Sequence, residues 1–168
     1  MGDPRGAMQR ELYAGISFME QEGIVDERFI MAYQLKERSG PRYFVETIPL
    51  FCTNTEASIA LMTDLMQLPI LDYYSLDQHC IKIRGSSSCL GIHKLAVASK
   101  DLRDACKAAN RPQCAYVFEN LKREYYNFKE KVTPILKLEC RIIALEGNGP
   151  QPAAAGTSTA GGSGAMPS

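Results

Sequence analysis

No excess of either charge marks this sequence: Lys+Arg and Asp+Glu number 19 each, and the formal net charge is zero. A nucleic-acid binder needs a basic surplus to neutralise phosphates, so no nucleic-acid partner is expected. No apolar run approaches the ~20 residues of a membrane helix and no secretory pattern opens the chain, so no membrane association is expected either. The Met1-Gly2 start would suit myristoylation, but that motif asks for Ser or Thr at position 6, where Gly6 stands. There is no C-x-x-C pair among Cys52, Cys80, Cys89, Cys106, Cys114 and Cys140. Most of these cysteines fall on apolar helical stripes, where the thiol acts as a small hydrophobe. Reduced thiols in a cytoplasmic and nuclear protein are the expectation. His79, Cys80, Cys89 and His93 could be imagined as a zinc set, but their spacing matches no familiar site. No metal and no cofactor is predicted.

Alternating strand patterns are also missing. What is present is apolar spacing close to 3.6 along nearly the whole chain, with 45% hydrophobic residues to build a core. The spacing predicts helices over about 8–21, 26–38, 42–67, 73–90, 92–109 and 112–144, after a flexible start at 1–7. Asp26 suits an N-cap, and Ser39-Gly40-Pro41, Leu68-Pro69 and Asn110-Arg111-Pro112 are breaks. Pro49 and Pro134 each remove a backbone donor inside a predicted helix.

Four long stripes on short connections predict an all-α fold. It is an antiparallel four-helix bundle with two additional N-terminal helices, the helical domain covering 8–146. A coiled-coil oligomer is the alternative, because Cys114, Phe118, Leu121, Tyr125, Phe128, Val132 and Ile135 keep a heptad-like rhythm. Short loops favour packing within one chain, so a monomer is expected. Residues 147–168 carry no charge and almost no bulky apolar group, and a disordered tail is predicted there.

The segment 76–90 holds the most informative residues. Leu76, Cys80, Ile83, Ser87 and Leu90 step by four and three and define an inward face. At about 100° per residue, Gly85 lies roughly opposite that face and Ile81 roughly 140° from it. Lys82 and Ser88 are each about 120° away, with Arg84 and His79 on the flanks. A mid-helix glycine costs ~1 kcal/mol relative to alanine. On an outward face, close approach by a partner is a reason to keep it.

These residues resemble a known motif. The stretch Leu76-Asp77-Gln78-His79-Cys80-Ile81-Lys82-Ile83-Arg84-Gly85-Ser86-Ser87-Ser88 resembles the H-x-x-K-G-S-S-S signature of plant histidine-containing phosphotransfer (HPt) proteins. The likeness covers most of 8–146. Gly23-Ile24-Val25-Asp26-Glu27-Arg28-Phe29 resembles the family's G-[FI]-V-D-x-x-F, and Phe44-Val45-Glu46-Thr47-Ile48 with Leu50-Phe51 resembles its F-V-x-E-[VI]-x-x-x-F. Gly85 to Gly91 resembles G-S-S-S-S-I-G, and Lys122-Arg123-Glu124-Tyr125 resembles K-x-E-Y. The resemblance implies the helical HPt bundle. Its implied partners are receiver domains of hybrid histidine kinases and of response regulators, in a two-component, cytokinin-type phosphorelay. It implies a docking surface of Ile81, Lys82, Arg84, Gly85, Ser88, Ile24 and Phe29.

The family's phosphoacceptor histidine stands four residues before the glycine, and here that residue is Ile81. Lys82 stands where the family usually has Gln, and Arg84 stands at the family lysine. The pattern resembles the pseudo-HPt subgroup, which lacks the histidine and inhibits the relay. No catalytic residue is then expected and the chain is not an enzyme. Two alternatives remain in view. One is an active carrier using a displaced His79, which sits about 160° around the helix from Ile81. The other is a helical adaptor unrelated to phosphorelay.

Overall fold

The computed structural model describes residues 2–147, and within them every regular element is a helix. Seven follow in order: α1 Pro4–Gln21, α2 Glu27–Gln34, α3 Lys36–Ser39, α4 Tyr43–Met66, α5 Tyr73–Leu90, α6 His93–Lys107 and α7 Arg111–Gly147. The expected tail lies outside the described residues, except that Gly147 itself ends α7.

Helices α4 to α7 form the antiparallel four-helix bundle, α1 lies along α7, and α2 rests on α5. Three boundaries differ from the sequence expectation. The first helix starts at Pro4, inside the stretch expected to be a loose start, because proline suits the first turn, where no amide is needed. Arg5 there also pairs with Glu146 at 2.6 Å. The second predicted helix is two, breaking at Leu35. Lys36 begins the short piece and reaches the buried carboxylate of Glu139 at 3.0 Å, while Tyr33 donates to the same group at 2.9 Å. The last helix extends through Gly147, three residues beyond expectation.

The core is one continuous cluster running from Leu12 to Ile142. Phe29 is its aromatic hub, edge-on to Phe44 at 5.5 Å and to Phe128 at 6.0 Å, joining α2, α4 and α7. Cys80, Cys106 and Cys114 bring α5, α6 and α7 together; the hydrogen bond with Cys80, and then burial, push the Cys106 thiol up, and burial pushes Cys114 up to about 12. The three side chains are buried packing groups, and the raised Cys106 and Cys114 disfavour the reactive thiolate.

Helix α5 is held at both ends. The Asp72 side chain accepts from the Ser75 backbone at 3.0 Å and from the Ser75 hydroxyl at 2.7 Å. At the other end Gly91 takes a left-handed φ of 72°, and Ile92 N–H returns to the Ser87 carbonyl at 2.8 Å. A Cβ at Gly91 would collide with the backbone nitrogen of Phe29. The start of α2 therefore sits directly on the end of α5: Asp26 N–H donates to the Gly91 carbonyl at 2.9 Å, and the Arg28 guanidinium donates to the Ser88 carbonyl at 3.3 Å. The Gly91 carbonyl past the helix end thereby gains a partner, and the Ser88 carbonyl, which already accepts from Gly91 N–H at 3.2 Å, gains a second.

Candidate functional site

Helix α5 turns Leu76, Cys80, Ile83 and Ser87 inward, as its spacing predicts. Its opposite sector forms an exposed front. Ile81 is 40% exposed there, and Lys82 and Gly85 are exposed beside it. A Cβ built on Gly85 would meet nothing within 4 Å. This glycine relieves no contact inside the molecule, so any need for bare backbone comes from outside it. Ser86 and Ser87 turn their hydroxyls onto their own helix, donating to the Lys82 carbonyl at 3.0 Å and the Ile83 carbonyl at 2.5 Å. They are satisfied locally and offer little to a ligand. Ser88 is half-buried.

The two basic residues of the front differ. Arg84 is half-buried and contributes to holding the Asp104 carboxyl of α6 below its usual range, after the hydrogen bond from Lys100. Beside it Arg103 pairs with Asp77 at 3.2 Å. Lys82 projects on the other side, toward α4, and takes part in no ion pair among the described residues. An open trough of about 440 Å³ runs there between α4 and α5. It is lined by Asn54, Thr55, Ala57, Ser58, Leu61, His79, Lys82, Ile83 and Ser86.

His79 belongs to this trough and not to the front. Its Nδ1 is buried without a hydrogen-bond partner. Burial, and secondarily the charge of Lys82, hold its pKa below the ordinary value, so the neutral ring is favoured at neutral pH. His93 opens α6, with Nδ1 3.8 Å from the Asp26 carboxylate. Neither histidine shares the sector of Ile81. Among the described residues no three His, Cys, Asp or Glu side chains gather as a metal site would require.

Five of the seven residues expected to dock a partner, Ile81, Lys82, Arg84, Gly85 and Ser88, lie along the outer and flanking sides of α5. Ile24 and Phe29 do not belong with them. They are 3% and 0% exposed and sit in the core. The G-[FI]-V-D-x-x-F likeness reports how α2 seats on α5, with Phe29 as the anchor. Sequence reasoning missed the α4 wall. Ala57 and Leu61 are one turn apart on its outer side, and a search for inward stripes passes over them.

No family model matches the chain. Curated relatives do. A rice histidine-containing phosphotransfer protein 2 is 26% identical over 141 residues, 83% of this chain and 95% of that protein. Among solved structures, a maize histidine-containing phosphotransfer protein superimposes with a TM-score of 0.76 at 29% identity, over 80% of this chain and 99% of that one. Relatives and solved structures both support the HPt family. An Arabidopsis pseudo histidine-containing phosphotransfer protein 6 is also similar, 25% identical over 83% of this chain and 92% of its own length. Identity therefore does not separate the two kinds of HPt relative. The side chain at the acceptor position has to.

Proposed function

We propose that this chain is a pseudo-HPt protein. It docks receiver domains of hybrid histidine kinases and response regulators, accepts no phosphoryl group, and so lowers flux through a plant two-component relay of the cytokinin type. One observation carries the reading. Position 81, four residues before the exposed Gly85, holds isoleucine, whose side chain has no nucleophilic atom. The surroundings that a docking partner would use remain: bare backbone at Gly85, and the cations of Lys82 and Arg84 on either side. Docking without transfer makes the protein a competitor of active carriers rather than an enzyme. The helical body acts as a monomer in this reading, in the cytoplasm and the nucleus, where receivers and response regulators would be met.

The displaced-histidine alternative draws no support from His79, whose Nδ1 is enclosed in the α4–α5 trough. Geometry comes before pKa in any such assignment. The test is a pulldown with receiver domains, followed by competition. The parent chain, added in excess, should slow phosphoryl transfer from a captured receiver to an active HPt protein. Failure to capture any receiver would leave a helical adaptor unrelated to phosphorelay.

A further inference from the structure

The trough between α4 and α5 has a defined chemistry. Its α4 side carries two exposed apolar groups, Ala57 and, one turn on, Leu61, 53% exposed, with the polar Asn54 and Thr55 beside them. Ile83 and Ser58 are buried at its base, and His79 and Lys82 stand on the α5 side. No carboxylate lines it, and Lys82 has no anionic partner among the described residues. An apolar slot with one free cation on its rim is complementary to an apolar group next to a carboxylate. Lys82 immediately follows Ile81 in the chain, so a body covering the front also overlies the trough. A stable interface occupies on the order of 800 Å² on each partner, far more than one isoleucine and one glycine supply. On the α6 side Arg103 is paired with Asp77 at 3.2 Å, and the Asp104 carboxylate, held by Lys100 at 3.0 Å, stands within the field of Arg84. On the α4 side no carboxylate of the trough stands beside Lys82.

We infer that the trough is a second seat for the docked receiver domain, taking one apolar side chain against Ala57, Leu61 and Ile83 and a carboxylate on Lys82. This rests on the receiver-docking reading and adds where the contact spreads and what the partner must present. The footprint is asymmetric, running from Gly85 toward α4.

The experiment measures affinity for a receiver domain captured by the parent chain in the pulldown. Ala57→Trp fills the slot from an exposed position, Lys82→Glu reverses its charge, and Gly85→Gln blocks the front. Ala57→Trp and Lys82→Glu should each weaken binding about tenfold or more. Added salt should weaken the parent more than Lys82→Ala, because one interfacial ion pair has gone. If Gly85→Gln loses binding while both trough variants match the parent, the trough is not a seat and the docking reading stands. If Gly85→Gln also matches the parent, both fall. Should Ala57→Trp lose its helical circular dichroism, Leu61→Glu, altered only at an exposed side chain of the trough that is no part of the front, decides in its place: weakened binding supports the seat, and parent-like binding removes it.

Discussion

At the scale of single residues, the account turns on one side chain and its bare neighbour. Burying an isoleucine at an interface is worth up to ~1.5–3 kcal/mol, so in the proposed docking Ile81 is a contact as well as a missing nucleophile. Ile81→Ala should weaken receiver binding about tenfold, as ~1.4 kcal/mol would. Gly85→Gln should weaken it most, since a side chain there projects into the space a partner must enter. Ile81→His places an imidazole beside Lys82 and Arg84 and should bring at least weak phosphate acceptance. Titration calorimetry and a radiolabel assay on the three variants check this. Unchanged affinity in all of them would remove this face from consideration. Phe29 is the contrasting case. Phe29→Ala should cost about 3–5 kcal/mol of folding stability, seen as a large drop in denaturation midpoint, because this residue is an aromatic core anchor.

Among the helices, sequence periodicity was enough to orient α5. Its inward stripe, its glycine stop and its outward Ile81 follow from steps of three and four alone. The start of α2 was legible too, since the Asp26 side chain accepts from Arg28 N–H at 2.9 Å. The break at Leu35 was not legible, because it answers to a tertiary demand, the placing of Lys36 against the buried Glu139, 103 residues further along the chain. The α4 wall of the trough escaped for a related reason. Exposed Ala57 and Leu61 acquire meaning only when α5 is laid beside them. The α4–α7 seam carries a testable charge. Hydrogen bonds from Lys129 at 2.6 Å and from the Tyr125 hydroxyl hold the Glu56 carboxyl below its ordinary range. Its folded pKa is thus below its unfolded one, so the stabilisation is complete above about pH 4.3 and is lost as pH falls through the folded value. Asp72 and Asp104 titrate in the same direction. The comparison is therefore parent against Glu56→Gln. The parent's advantage in urea midpoint should shrink as pH is lowered from neutral to about 3. An advantage independent of pH would show that the Glu56 charge contributes nothing.

For the whole molecule, the proposal is that fold and chemistry have come apart. In the proposed reading the bundle, the capped α5 and the open Gly85 serve docking, and the position where a carrier would hold its phosphoryl group presents the hydrocarbon of Ile81. The central claim is binding without transfer. It is tested most directly by incubating the chain with a radiolabelled, phosphorylated receiver domain that it captures, then measuring acid-labile phosphate on the chain. The account predicts a stable complex with no label on the chain. Stoichiometric labelling that disappears in His79→Ala would contradict it and make the protein an active carrier.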